Sequence, residues 1–149
     1  MRHSRAQLEA AVAEAAAHYT IERPLAFSQI QQESSWNEKA VNLHSGAMGL
    51  AQFMPATARE MGLVNPFDGV ASAWAYAKYM HSLLVRFDND IVKALAGYNW
   101  GQGNLARAIK KYGESWRAHA PRETREYVTK IMLRAQAEYI AAGEPMPAA

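Results

Sequence analysis

The sequence predicts an all-α protein, and three observations carry the prediction. Ala supplies 29 of the 149 residues, against 17 for Val, Ile and Thr together. That balance favours helix over sheet, because alanine loses no side-chain freedom in a helix and β-branched residues do. Segments of helical length, opened by capping residues or proline, follow one another along the whole chain. Strand signals are poor throughout. The length fits one domain, 1–149, and 50% apolar residues with 20% charged ones can bury a core.

The first helix is expected over residues 6–19. Pro24 stands where a helix starts, and 25–36 reads as the second. Residues 41–49, VNLHSGAMG, form a loop rich in turn formers. Pro55 opens a short helix closed by Gly62. Asn65-Pro66-Phe67-Asp68 offers an N-cap, a proline at the first helical position and an acid two residues on, and starts a helix to about Phe87. That helix carries two apolar stripes, one through Phe67, Val70/Ala71, Trp74, Ala77 and Leu84 and one through Ala73, Tyr76, Met80, Leu83 and Phe87. A helix apolar on two sides is central and buried. Asp88-Asn89-Asp90 caps a helix over 91–98. NWGQGN turns the chain, 105–111 is helical, and Gly113 breaks it. Pro121 begins the last helix, which ends near Ala142. Residues 143–149 form a frayed tail.

Composition also excludes function classes. A formal net charge of +2 is too weak to announce a nucleic-acid binder. Residues 101–149 hold eight Lys/Arg against five Asp/Glu. This reads either as an ordinary solvated surface or as attraction to a polyanion such as a bacterial envelope. The absence of cysteine excludes disulfides, cysteine-rich zinc sites and a cysteine nucleophile. No apolar run approaches the ~18 residues of a membrane span. The N-terminal stretch QLEAAVAEAAAHY is interrupted by Glu9 and Glu14 and reads as an amphipathic helix, not a secretion signal. His3, His18, His44, His81 and His119 do not pair with one another or with an acid at ligand spacing, so neither a metal nor a cofactor is expected. No GxSxG elbow appears.

One residue stands out. From Pro24 to Asn37 the only charge is Glu33. At about 100° per residue, Ala26, Ile30 and Glu33 share a helix face. A carboxylate there is partly desolvated, and desolvation raises its pKa. A carboxylic acid still protonated near neutral pH can donate a proton to a leaving oxygen, as glycoside cleavage requires. A structural Glu, snorkelling outward or capping a neighbouring helix, fits the same position. The neutral polar side chains around it (Gln31, Gln32, Ser34, Ser35 and Asn37) suit a cleft better than a packed core.

Three blocks of the chain resemble the soluble lytic transglycosylase domain, which is related to goose-type lysozyme. The first is Ile30-Gln31-Gln32-Glu33-Ser34-Ser35-Trp36-Asn37, running into Ser45-Gly46-Ala47-Met48-Gly49-Leu50-Ala51-Gln52-Phe53-Met54-Pro55-Ala56-Thr57-Ala58. The second is Ala94-Leu95-Ala96-Gly97-Tyr98-Asn99-Trp100-Gly101-Gln102-Gly103. The third is Glu123-Thr124-Arg125-Glu126-Tyr127-Val128. The departures are local. Ala51 stands for a usual Met, Gly97, Trp100 and Gln102 stand for usual Ala, Ala and Pro, and Asn42 or Ser45 lies near the place of a cleft serine.

The resemblance implies a compact lysozyme-like helical domain with a substrate cleft. It implies cleavage of the MurNAc–GlcNAc β-1,4 bond of peptidoglycan strands. Glu33 matches the catalytic acid. Gln52 and Met54 match residues lining the cleft, Tyr98 and Asn99 residues facing the acid and the sugar, and Tyr127 a tyrosine reaching the site from the last helix. For Met54 and Tyr127 plain core packing is the competing reading, and for Asn99 a cap on the following turn.

Most glycosidases use two carboxylates. Here no acid lies between Lys39 and Arg59. Glu38 falls about 140° around the helix from Glu33, and Asp68, Asp88 and Asp90 sit at helix starts, where capping explains them. The distribution fits a one-acid mechanism with a 1,6-anhydro product, the route that the resemblance favours. A muramidase on the same scaffold and a non-catalytic wall-binding helical protein are the alternatives. With no recognisable signal, the expectation is a monomer made in the cytosol and acting on peptidoglycan, as a phage lysis or virion-associated enzyme.

Overall fold

The computed structural model describes residues 2–146. Among them the chain forms seven α-helices and one 3-10 helix, and packs as two compact units, Met1–His81 and Ser82–Ala149.

In the first unit, α1 (Arg5–His18) opens on a reciprocal cap. Ser4 Oγ accepts the Gln7 N–H at 3.1 Å, and the Gln7 side chain accepts the Ser4 N–H at 2.8 Å. Leu8, Ala11, Val12, Ala15 and Ala16 form its buried face. Helix α2 (Arg23–Ser34) has Pro24 in its first turn. It stops two residues before the expected Trp36, because Ser35 and Trp36 both adopt left-handed conformations (φ 52° and 65°). The buried Trp36 ring meets Phe27 edge-on, with centroids 4.9 Å apart, and the Arg5 guanidinium lies 4.7 Å over it.

The loop that follows contains the only strand-like pairing among the described residues, with Met48 bridging both Val41 and Phe53. Gly49 is obligatory in it. Its φ is 83°, and a Cβ would run into the Pro66 carbonyl. The short helix α3 (Pro55–Glu60) begins on its proline.

Helix α4 (Gly69–Arg86) begins in the first unit and ends in the second. It starts later than expected. Asp68 Oδ1 accepts the Ala71 N–H at 3.1 Å and supplies the cap. Asn65 and Pro66 belong to the preceding turn, where Asn65 Oδ1 accepts the Phe67 N–H. Its two stripes differ. Ala73, Tyr76, Met80, Leu83 and Phe87 are buried, whereas in the other stripe Ala77 is buried and Phe67, Val70, Ala71, Trp74 and Leu84 are half-buried.

In the second unit, Asp90 alone caps α5 (Ile91–Trp100), accepting the Lys93 N–H at 3.0 Å. Asp88 and Asn89 instead turn the chain with φ of 58° and 62°. The expected NWGQGN turn shrinks to Gly101 (φ 98°), after which α6 (Gln102–Tyr112) starts at once. Gly113 ends α6 as expected, but the chain continues as a 3-10 helix, Gly113–His119, that seats Trp116 in the core. Helix α7 (Arg122–Ala142) buries Thr124, Tyr127, Val128, Ile131, Ala135 and Tyr139. Gly143 is left-handed, and the Glu144 N–H reaches back to the Tyr139 carbonyl at 2.9 Å. Of the tail expected to fray, residues 147–149 lie outside the described residues.

Candidate active site

Glu33 sits in the last turn of α2, half-buried, beside the half-buried Gln31, Gln32 and Ser34. Ala26 and Ile30, placed on its face by helical periodicity, are fully buried. Gln29 is buried too, and its Oε1 accepts the Tyr76 hydroxyl of α4 at 2.7 Å. Burial pushes the Tyr76 phenol far above its ordinary pKa, and the negative charge of Glu33 pushes it further. Tyr76 therefore stays protonated as a donor, and Glu33 is close enough for its charge to be felt there. Ser34 Oγ is buried with no hydrogen-bond partner among the described residues.

The most deeply buried carboxylate is not Glu33 but Glu38, which is 1% exposed. Its Oε2 accepts the His3 main-chain N–H at 2.6 Å. Its Oε1 lies 3.0 Å from His3 Nδ1 and accepts the Gly69 N–H at 3.1 Å. Burial by itself raises the Glu38 pKa. Hydrogen bonds from the His3 ring and from the Gly69 and His3 N–H groups, together with the charge of His3, outweigh it and hold the group below its ordinary 4.5. Glu38 is thus a structural anion tying the starts of α1 and α4 together. Its position in sequence hid this, since the two contacts span 35 and 31 residues.

Gln52 occupies a left-handed conformation (φ 53°). Its Nε2 donates to the Gly49 carbonyl at 2.9 Å and the Ala40 carbonyl at 3.3 Å, so the amide braces the loop. Met54 is 44% exposed, which removes core packing as its explanation. The two candidates for a cleft serine position are both spent on the loop. Asn42 Oδ1 accepts the His44 and Ser45 N–H groups, and Ser45 Oγ accepts the Ala47 N–H.

In the second unit, Tyr98 and Asn99 are half-buried in the last turn of α5. Asn99 does not cap the following turn. The α6 start at Gly101 has no side-chain cap, and Asn99 Oδ1 accepts the Thr124 hydroxyl of α7 at 2.8 Å. Tyr127, one turn beyond Thr124 and so on the same face, is buried at 6% exposure. Thr124 lies inside the third motif block, yet only the fold reveals its pairing with a residue 25 positions away. The remaining acids of this unit include Asp90, spent on its cap, and Glu126, paired with Arg122 at 2.9 Å. No group of three or more His, Asp or Glu with metal-site geometry occurs among the described residues.

The helical fold has close structural counterparts. It superposes with a TM-score of 0.80 on an inactive mutant of the lytic transglycosylase Slt from Pseudomonas aeruginosa, at 24% identity, covering 93% of this chain and 25% of that one. This defines an all-α, lysozyme-like fold. The chain belongs to the transglycosylase SLT domain family, whose model matches residues 10–120. It is similar to the transglycosylase of Enterobacteria phage PRD1 (35% identical over 100 residues, 66% of this chain and 37% of that protein). It is also similar to the membrane-bound lytic murein transglycosylase D of Escherichia coli K12 (33% over 112 residues, 67% and 25%). The chain therefore spans about a quarter to just over a third of these relatives.

Proposed function

We propose that this chain is a peptidoglycan lytic transglycosylase that cleaves the MurNAc–GlcNAc β-1,4 bond and leaves 1,6-anhydro-MurNAc ends. The supporting observation is the contrast between the two acids at and after α2. Glu33 is half-buried among neutral polar groups, whereas Glu38 is consumed by His3 and Gly69. The contrast supports Glu33 as the acid of this segment that carries the chemistry.

With a single acid the substrate supplies the nucleophile. The MurNAc 2-acetamido oxygen attacks C1 as Glu33 protonates the leaving oxygen. The ionised Glu33 then takes the proton from the C6 hydroxyl, which closes on C1 and releases the acetamido group. No water is consumed. Gln52, Met54, Tyr98, Asn99 and Tyr127 are the residues proposed to hold the glycan, their amide and hydroxyl groups steadying the acetamido group and developing charge. The phage relative supports a lysis or virion-associated role.

The decisive experiment digests purified sacculi with the wild-type chain and with Glu33→Gln, reading products by mass. The reading expects muropeptides one water lighter than lysozyme products, loss of cleavage in the variant, and an unchanged melting temperature. Reducing MurNAc ends from an active wild type would make the protein a muramidase. Retention on sacculi without any cleavage would make it a wall-binding protein.

A further inference from the structure

Two helix positions in the second unit are occupied by residues that secondary structure alone does not explain. Asn99 lies inside the last turn of α5, where asparagine is a poor helix former, and it caps nothing. Thr124 lies in the first turn of α7 and is 2% exposed. A threonine hydroxyl in a helix ordinarily returns its proton to a carbonyl three or four residues back. That of Thr124 leaves its own helix and donates to Asn99 Oδ1 at 2.8 Å.

The pairing has a chemical consequence. A primary amide can present either its oxygen or its NH2 by a half-turn about its last bond. With the buried Thr124 hydroxyl donating to Oδ1, the NH2 faces the other way. Asn99 Nδ2 has no acceptor among the described residues, and the residue is half-buried, not sealed. We infer that Thr124 is a positioning residue, which locks the Asn99 amide so that its NH2 donates to an acceptor oxygen of the bound glycan. The inference rests on the proposed function only in that Asn99 touches substrate.

The test compares Thr124→Val, which keeps shape and loses the hydroxyl, with Thr124→Ser, which keeps the hydroxyl, on soluble uncrosslinked glycan strands. Losing a hydrogen bond of ordinary strength corresponds to roughly a tenfold fall in kcat/KM for the Val variant. The Ser variant stays within about twofold of wild type on the same scale. In an Asn99→Ala background the Val substitution costs nothing more. Asn99→Asp, which keeps the acceptor for Thr124 but lacks the NH2, loses the same factor with an unchanged melting temperature, and Thr124→Ala takes the place of the Val variant in every comparison if that variant does not fold. Equal losses in the Val and Ser variants would overturn the inference. So would the same Val effect with and without the Asn99 amide, or full activity in Asn99→Ala. The 15N–1H2 resonances of the Asn99 side chain report the lock without turnover, moving in Thr124→Val and not in Thr124→Ser. A wild type that cleaves nothing while the resonances behave so would remove the proposed function and leave the lock standing.

Discussion

At the scale of single residues, the two acids of the first unit divide labour by environment. Glu38, fully enclosed, is stabilised as an anion by three contacts. Replacing it by Gln turns an NH2 toward groups that donate, and hydrogen bonds to charged groups set the expected cost at about 1–3 kcal/mol. Its pKa is depressed on folding below the ordinary 4.5. Its contribution is therefore fully present above that value and lost as pH falls through the lowered one. Urea unfolding should show wild type more stable than Glu38→Gln at pH 7, with the gap closing below pH 4.5. An equal gap at all pH values would contradict the assignment. The isolation of Glu33 was legible because it is a property of neighbours in sequence. The enclosure of Glu38 and the Asn99–Thr124 pair were not, because each is made by residues 25 or more positions apart.

At the scale of elements, two glycines separate helix propensity from packing. Gly97 lies inside α5, and a Cβ there would meet Leu83, Phe87 and Leu105 at 3.5 Å, ordinary contact. Gly97→Ala should raise stability by about 0.5–1 kcal/mol by removing the entropy cost of a helical glycine. Gly69 opens α4, where a Cβ would collide with Leu8 Cδ2 and approach Glu38 Cβ to 3.0 Å. Leu8 is 2% exposed, so its side chain must shift against packed neighbours to make way. Gly69→Ala should therefore destabilise by about 1–3 kcal/mol, the cost of overpacking. Thermal melts of the two variants should move in opposite directions. The helices themselves were readable where caps are local, as at Asp90 and Pro55. The α4 start was misplaced because Asn65 and Asp68 both look like caps, and only the fold shows Asn65 spent on its own turn. The 3-10 helix was missed because GESWRAH carries a single core residue, Trp116, and no periodicity.

At the scale of the whole molecule, the fold class was legible and the division into two units was not, since no change in composition marks residue 82. The family match, 10–120, runs across that division. The proposed chemistry moves one proton out and one back, and requires no Lewis acid. Cleavage of sacculi in excess EDTA should therefore proceed at the untreated rate. A loss restored by zinc and not by unrelated salts would refute the one-acid scheme.

The grip of Glu38 on His3 has a consequence for how position 3 can vary. The shorter of the two contacts, at 2.6 Å, is made by the main-chain N–H, which every residue but proline carries. The ring contact is made by a side chain 26% exposed. Substitution at position 3 thus forfeits the ring's hydrogen bond and charge but keeps the main-chain contact, while substitution at position 38 forfeits all of them. Position 3 is therefore held in part by chemistry that any residue but proline retains, and in part by chemistry that only its ring supplies.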